Sequence, residues 1–426
     1  MRVPGLHVVA RTSAFQFKGK TVDVRKIGRD LAVRTILEGS VQTSGNRIRI
    51  TAQLDDAANG YHLWSERYDR EGTDVLAVQQ EISRAITETL GVKLAFGGAA
   101  AGVAYAAAAR NPEAYENYLK GRYFWNKSTR EGFESAIGYF QQAVAKDSSY
   151  APAYVGLANS YARMPTFSPM SLRESAPKAK AAALKALELD SALGEAHVAL
   201  ANVYFDEHDW SAAEREFRTG LALNPGDAGA HSSFGSYLTR MDRPQEALAE
   251  FQTALSLDPV STFAMQAVGR TLTNMHRFDD AIQQFQRALA LEPNFGVARQ
   301  ALGMAYLLDG KYTEGIAETQ KARQIMGGDS MTTSQLGYAY AVSGNRAAAL
   351  QILSQSLDLN RRGAFPAYAI ANIYIGLGDK DRAIEWLRTA IEKTEASLAL
   401  KSNPICDPLR TDSGFTELLR RMKLNQ

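Results

Sequence analysis

Few residues of this chain have the types and spacing that catalysis needs. The string Lys18-Gly19-Lys20-Thr21 resembles the end of a phosphate-binding loop, but Ala14 stands where that loop requires its first glycine. A zinc hydrolase helix carries two histidines four residues apart with a glutamate between them. No histidine of this chain has such a partner; the six are His7, His62, His197, His208, His231 and His276. We expect ordinary packing or surface roles for these side chains.

Two pairs of adjacent acids also lack a catalytic arrangement. Asp55-Asp56 fits a hairpin turn and Asp279-Asp280 fits a helix amino terminus. Neighbouring side chains point in different directions, so neither pair can converge on a metal alone. The solitary Cys406 has no second cysteine for a disulfide or a zinc site, and we interpret it as a small apolar filler. We predict that the chain is not an enzyme and has no cofactor and no metal site.

The strongest pattern in the chain is a period of 34 residues. Three prolines at this spacing, Pro225, Pro259 and Pro293, close the phrase A-L-x-L-x-P, which has Gly220 in place of the first Ala before Pro225. Four further positions extend the series: Ser191, Gly327, Arg361 and Glu395. Small and aromatic residues recur at fixed offsets inside the units, such as Gly235 with Phe251 and Gly269 with Phe285. A period of this length with helical hydrophobic spacing is typical of stacked helix-turn-helix units. The small residues are expected where two helices cross at close range.

These residues resemble the tetratricopeptide repeat family over about two thirds of the chain. The resemblance implies a mainly α fold, in which a superhelical solenoid of helix-turn-helix units follows a smaller domain. We expect about eight repeats over residues 113–395. The segment from Asp407 through Phe415 and Leu418 to Met422 has one polar face, and we interpret residues 396–426 as a capping helix.

The first ninety or so residues follow a different pattern. Residues 6–10 form a short apolar run, residues 22–33 have helical spacing, and residues 35–55 alternate like strands around a turn at residues 44–46. Residues 61–68 supply another strand, and residues 75–90 place apolar side chains on one face of a helix. This order predicts a small α+β domain with an antiparallel sheet.

Several phrases of this region are similar to the TolB-like (FlgO-like) domain that precedes tetratricopeptide repeats in many bacterial proteins: IGRDLAVRTILEGSVQ, NRIRITAQLDDAANGYHLWSERYDR and DVLAVQQEIS. The resemblance implies a TolB-like domain over residues 1–92 that lacks its usual first strand and helix. We expect a second copy of the chain to be able to pair with that sheet, giving a homo-oligomer. Residues 93–112, rich in Ala and Gly, are interpreted as a linker.

The composition limits the kinds of partner and the cellular location that we expect for the chain. The net charge is +2, from 48 basic and 46 acidic residues, which offers no basic face for nucleic acid. The longest membrane candidate, residues 94–109, is shorter than the roughly twenty residues that span a bilayer. No signal peptide is apparent. We expect a cytoplasmic location for the chain as written, and a periplasmic or membrane-anchored one if a segment precedes it.

The resemblance also implies where a partner binds. In tetratricopeptide arrays the first helix of each unit lines a concave groove, and the family frame assigns these groove positions here: Asn202, Gln266, Arg270, Met304, Tyr338, Tyr368 and Asn372. A subset of the family holds a partner's terminal carboxylate with paired Lys and Asn. Val198 and Gln266 occupy the matching lysine positions, so we do not expect that clamp. A peptide with an acidic or amide group opposite Arg270 and an apolar anchor beyond it suits this surface.

Two functional classes fit the sequence. The first is a non-catalytic scaffold that binds a partner peptide or protein in the groove. The second is the regulatory portion of a bacterial signalling protein of the adenylate cyclase, winged-helix regulator or kinase type, because longer relatives of the amino-terminal region carry such effector domains upstream. The scaffold is the leading hypothesis, since no effector domain lies within this chain.

Overall fold

The computed structural model describes residues 9, 14, 16–20, 22–31, 33–44, 47–71, 82, 111–127, 129–167, 170–393 and 400–421. The described residues fall into two compact units: residues 1–234 with 257–259, and residues 235–256 with 260–426. The predicted strand over residues 6–10, helix over 75–90 and linker over 93–112 lie almost wholly outside the described residues.

The first unit begins with a helix and an antiparallel meander of three strands. Helix α1 covers Val24–Leu31, and the strands are Thr35–Ser44 (β1), Arg47–Asp56 (β2) and His62–Glu71 (β3), in the sheet order β1-β2-β3. The register places Thr35 opposite Asp56 and is interrupted at Leu54/Asp55, between β2 and β3. The prediction of a small antiparallel sheet after one helix is confirmed.

The side chains of this sheet alternate as the sequence pattern requires. Leu54 and Tyr68 are buried with Ile27 and Leu31 of α1, so one face of the meander forms a small core. Helix α1 lies very close to the turn after β2: a Cβ atom added to Gly28 would lie 2.3 Å from the side chain of Ala57. A larger residue at position 28 would therefore push α1 off the turn.

Helix pairs fill the rest of the first unit. Among its described residues the pairs are Pro112–Trp125 (α2) with Arg130–Lys146 (α3), Ala151–Phe167 (α4) with Leu172–Leu189 (α5), and Gly194–Asp206 (α6) with Trp210–Leu223 (α7). Asn111, Thr129 and Asp209 begin α2, α3 and α7 by accepting backbone N–H hydrogen bonds of 3.1 Å on their side-chain oxygens.

Ala228–Arg240 (α8) begins in the first unit and ends in the second, and Pro244–Leu257 (α9) lies in the second except for its last residue. The second unit also contains the helices Thr262–Asn274 (α10), Phe278–Leu291 (α11), Gly296–Leu308 (α12), Tyr312–Ile325 (α13), Ser330–Val342 (α14), Arg346–Arg361 (α15), Ala367–Leu377 (α16) and Lys380–Glu392 (α17). A 3₁₀ helix at Pro404–Leu409 and a last helix, Ser413–Arg421 (α18), follow. Pro259 and Pro293 come two residues after the ends of α9 and α11, where a residue without N–H stops the helix.

Glycine and phenylalanine determine how closely the two helices of a repeat approach. A Cβ atom on Gly269 of α10 would lie 2.6 Å from the ring of Phe285 on α11, and one on Gly235 would lie 2.8 Å from the ring of Phe251. Phe285 is fully buried. The predicted pairing of small residues with aromatic rings at helix crossings is therefore present, and any side chain at Gly269 would overpack the crossing.

Neighbouring repeats are also joined by a recurring polar contact. A glutamine on the second helix of one repeat donates to the hydroxyl of a tyrosine 20 residues later, on the first helix of the next repeat. The distances are 3.1 Å for Gln286 with Tyr306 and 3.3 Å for Gln320 with Tyr340. Because the period is fixed, the same pair of residue types meets in successive repeats.

Candidate functional site

The predicted groove residues lie on first helices of the repeats in the structure. Asn202 is on α6 in the first unit and is partly buried. The other six belong to the second unit, and we call them the first-helix surface; they are Gln266 and Arg270 on α10, Met304 on α12, Tyr338 on α14, and Tyr368 and Asn372 on α16. Their exposure differs widely, so the surface has two distinct ends.

The α10 end carries polar donors that the protein itself does not use. Gln266 is 4% exposed, and its Nε2 is buried with no hydrogen-bond partner among the described residues. Arg270 lies one helical turn further on, is exposed, and makes no hydrogen bond or ion pair within the described part of the chain. By contrast, Thr271 and Thr273 return their hydroxyls to carbonyl oxygens of α10 at 2.9 Å. The unsatisfied groups are therefore Gln266 and Arg270.

The surroundings of Arg270 favour an anion. The guanidinium reaches solvent, yet the protein around it displaces enough water to lower its pKa by desolvation. It remains positively charged at neutral pH, since the ordinary pKa of arginine is above about 12. A charge that has lost part of its hydration and has no protein partner gains more from an incoming carboxylate than a fully hydrated one does. The α10 end is thus suited to an acidic group.

The other end of the first-helix surface is apolar and largely covered. Tyr338 is 8% exposed and belongs to the main core cluster of the second unit, against which Met304 and Tyr368 pack. Burial, with smaller contributions from Tyr312, Cys406 and Asp407, raises the pKa of Tyr338 to about 12. Tyr338 is therefore close to residues near the carboxyl terminus.

Residues 400–410, which we call the return segment, account for this covering. Pro404–Leu409 forms a 3₁₀ helix that packs against α16, and its first turn is capped by Asn403, whose side-chain oxygen accepts from the N–H of Ile405 at 3.1 Å. The buried apolar side chains of the segment join the same core cluster as Tyr338; they are Leu400, Ile405, Cys406 and Leu409. The segment thus lies on the apolar end of the first-helix surface.

One hydrogen bond and one ion pair hold the return segment to repeats far away in sequence. His276 Nε2 donates to Asp407 Oδ2 at 2.7 Å, across 131 residues, and Lys401 Nζ lies 3.1 Å from Asp242 Oδ2. Burial alone would raise the pKa of Asp407, but hydrogen bonds from His276 and Arg410 outweigh it, so this pKa lies below its ordinary value. The segment therefore connects the turns after α8 and α10 with α16.

The two residues that hold the segment occupy an unusual backbone position. A residue one or two positions after six of the first helices, α6 to α16, adopts a left-handed conformation at a spacing of 34 residues: His208, Asp242, His276, Gly310, Gly344 and Gly378. Glycine is the usual residue here because side chains make this conformation unfavourable by about 1–2 kcal/mol. Asp242 and His276 keep a side chain at φ 56° and 60°, and both contact the return segment.

Comparison with known families agrees with this architecture. One tetratricopeptide repeat model matches residues 198–262 and 269–329, and a second matches residues 367–392. The chain carries a tetratricopeptide repeat array. The second stretch of the first model begins within α10, so it includes Arg270, whereas Gln266 falls in the gap between the two stretches.

Individual relatives match this chain over part of its length or at low sequence identity. A stretch of 96 residues is 55% identical to putative adenylate cyclase 3 of Rhizobium meliloti (strain 1021), and covers 22% of this chain and 16% of that protein. PilF of Pseudomonas aeruginosa is 23% identical over 50% of this chain and 92% of its own, with a TM-score of 0.42. Human IFIT1 is 16% identical over 66% of this chain and 73% of its own, with a TM-score of 0.46.

Two further properties hold for the described residues of the tetratricopeptide repeat protein. No described helix is both long enough and apolar enough to cross a membrane. Within the same residues, no group of three or more His, Cys, Asp or Glu side chains is arranged to hold a metal ion.

Sequence reasoning did not find the return segment. The sequence interpretation assigned residues 396–426 to a capping helix, whereas the structure has a helix over Ser413–Arg421, with Phe415 and Leu418 buried, and gives residues 400–410 a separate place. Two signals were present in the sequence. Pro404 and Pro408 are unfavourable inside one continuous helix, and Asp242 and His276 replace glycine at a repeating turn position.

Proposed function

We propose that this chain is a non-catalytic scaffold that binds a peptide segment of a partner protein on its first-helix surface. Tetratricopeptide repeats mediate protein–protein interactions, because stacked repeats leave an extended surface of first helices. The observation that supports this site is the pair on α10, where a buried amide donor and a partly dehydrated cation both lack a partner among the residues that the structure describes. Natural proteins seldom leave such groups unpaired without a reason.

The same pair indicates the chemistry of the ligand. Arg270 can donate two parallel hydrogen bonds to a carboxylate, and Gln266 Nε2 can donate to a carboxylate or a peptide carbonyl oxygen. Both residues are on one face of α10, four positions apart, so a ligand segment bound at Arg270 lies next to Gln266 and reaches its buried Nε2 only by displacing the side chains that cover it. We propose an extended peptide that presents Asp or Glu to Arg270.

A peptide array tests this proposal. The full chain is applied to an array of short peptides in which acidic, amide and basic residues are varied at each position. We expect peptides with Asp or Glu to bind, and Arg270→Ala to lose at least tenfold of their affinity. Arg287→Ala is the matched control, because Arg287 is exposed on the second helix of the same repeat. Equal binding by wild type and Arg270→Ala would reject the site.

A second function has its own support. The 55% identity over 96 residues to a putative adenylate cyclase favours a regulatory role in bacterial signalling. We propose that residues 1–92 are a TolB-like domain, which the helix and three-stranded meander support. Affinity capture with the full chain distinguishes the two roles. Recovery of a cyclase, a winged-helix regulator or a kinase would support signalling, and repeated recovery of other classes alone would reject it.

We also propose that the amino-terminal sheet mediates self-association. Among the described strands, β1 is at one edge of the sheet, and its Val41 is 65% exposed. An exposed apolar edge can pair with a second copy. Light scattering of the full chain should give the mass of a dimer, and Val41→Lys should give that of a monomer. A monomeric wild type would contradict this proposal.

A further inference from the structure

The return segment is bound as a peptide ligand would be bound. It places an acidic side chain in a charge-assisted hydrogen bond, Asp407 with His276, and buries aliphatic side chains on both sides of it. Ile405 precedes Asp407 by two residues, and Leu409 follows it by two. Pro408 fixes the backbone between Asp407 and Leu409, so less conformational freedom is lost when the segment is bound.

We infer that residues 400–410 are an internal ligand of the apolar end of the first-helix surface, and that an external partner for this end carries the same aliphatic-x-Asp-Pro-aliphatic pattern and binds by displacing them. The inference rests on the proposed function, since it names the chemistry of a partner peptide for the same surface. It concerns α14, α16 and the turn after α10, and it does not depend on Arg270.

The contacts at the turns support a binding role over simple packing. Where the turn residue only has to end a first helix, as at positions 310, 344 and 378, it is glycine. Positions 208, 242 and 276 keep His, Asp and His in the same left-handed conformation. The side chains of Asp242 and His276 reach the return segment, whereas the ring of His208 packs against Trp210. Unfavourable backbone conformations are retained where a side chain has a specific task.

The segment and its site are complementary at two points, where an ammonium group faces a carboxylate and a carboxylate accepts from an imidazole N–H. Lys401 of the segment meets Asp242, and Asp407 of the segment meets His276. Both pairs are partly exposed to solvent. A soluble peptide with the same order of charges can therefore form the same pairs once the internal segment is released.

The internal segment competes strongly because it is covalently attached. A tethered ligand behaves as if it were present at about millimolar concentration, so a free peptide at micromolar concentration binds poorly to the closed protein. Removing contacts of the tethered copy raises the fraction of protein with an open site. The apparent affinity for the free peptide rises by the same factor.

The test measures binding of a fluorescent peptide with the sequence of residues 400–410, with serine in place of Cys406, to the full chain. We expect the variant Asp407→Ala/Leu409→Ala to bind this peptide at least tenfold more tightly than wild type does. Adding His276→Ala to that variant should weaken binding at least threefold, and adding His208→Ala should not. Equal affinity of the wild type and the Asp407→Ala/Leu409→Ala variant would overturn the inference.

A second measurement uses unmodified protein, in case the variants fold poorly. Cys406 is the single cysteine of the chain and is 1% exposed, so its rate of labelling by a maleimide reports release of the return segment. Millimolar peptide should accelerate labelling at least fivefold, and the same peptide with Ala in place of Asp should not. No acceleration by the Asp peptide would also overturn the inference. Neither measurement involves Arg270, so failure here leaves the array experiment to decide the proposed function independently.

Discussion

Replacing the buried Gln266 with leucine should stabilise the protein. The side chain is 4% exposed and its Nε2 has no partner among the described residues. An unsatisfied buried donor costs about 1–3 kcal/mol, and leucine fills a similar volume without a polar group. We therefore expect Gln266→Leu to raise the free energy of unfolding by about 1–3 kcal/mol and to weaken peptide binding.

Gln335 provides a control of the same residue type and the same 4% exposure. Its Nε2 donates to the carbonyl oxygen of Gln300 at 2.8 Å and to the hydroxyl of Thr319 at 2.9 Å. Gln335→Leu removes both bonds and leaves buried acceptors, so we expect it to lower the free energy of unfolding by about 1–3 kcal/mol. The two substitutions are thus expected to have opposite signs.

The assay is thermal denaturation followed by circular dichroism. For a unit of this size, 1 kcal/mol corresponds to a shift of about 2–4 °C in Tm, so the two variants should differ by several degrees in opposite directions from wild type. If Gln266→Leu lowers Tm as much as Gln335→Leu does, the Gln266 amide is satisfied in solution. The argument that α10 keeps a free donor for a ligand would then be refuted.

Three further predictions concern the helix crossing, the turns and the buried thiol. Gly269→Ala should destabilise the protein by about 1–3 kcal/mol because its Cβ would lie 2.6 Å from a phenylalanine ring. Gly138→Ala, whose Cβ would have no atom within 4 Å, should stabilise it by up to about 1 kcal/mol. Denaturation curves of the two variants measure this difference, and equal effects would contradict the packing argument. His208→Gly should stabilise the protein by about 1 kcal/mol because glycine adopts the left-handed conformation more easily. His276→Gly should stabilise it less in the same assay, because this variant also loses the contact with the return segment. An equal increase in stability would count against that contact. Burial raises the pKa of Cys406 to about 12, so above pH 9 the unfolded thiol loses its proton while the folded one keeps it. The free energy of unfolding should therefore fall as the pH rises, and replacing Cys406 with Ala should make this fall less steep between pH 9 and pH 10. An unchanged slope would show that the thiol is hydrated.

The repeats could be predicted from the sequence because their contacts are local and periodic. Gly269 and Phe285 are 16 residues apart and meet again at the same offset in the preceding repeat. Each unit packs only against its neighbours, so a pattern within 34 residues determines most of the core. The strands of the amino-terminal sheet were predictable for a similar reason, since alternation and short turns are read within a few residues.

The return segment could not be predicted because its contacts are not periodic. The hydrogen bond from His276 to Asp407 spans 131 residues, and nothing in the repeat frame relates those positions. The repeat pattern predicted a groove position for Tyr338. It contains no information about the later segment of the chain that lies against this tyrosine. Local pattern determines which face a residue occupies, and tertiary contacts determine whether that face is open.

The burial of Gln266, the desolvation of Arg270 and their lack of partners among the described residues could also not be predicted from the sequence. The repeat frame selected Gln266 and Arg270 as groove residues, and both lie on α10 of the second unit. That the amide is buried without a partner among the described residues, and that desolvation by burial lowers the pKa of the guanidinium, depends on tertiary packing. The sequence therefore selected the residues of the candidate site, and the structure supplied the observations on which the proposed acidic ligand rests.

The most direct test of the central claim is the affinity of one acidic peptide, selected on the array, for three forms of the full chain. Fluorescence anisotropy at low and moderate salt should give Kd values at least tenfold higher for Arg270→Ala than for wild type, which corresponds to about 1.4 kcal/mol. Arg287→Ala should match wild type at both salt concentrations. If Arg270→Ala binds the peptide as tightly as wild type does, the first-helix surface around α10 is not the site at which this protein binds its partner.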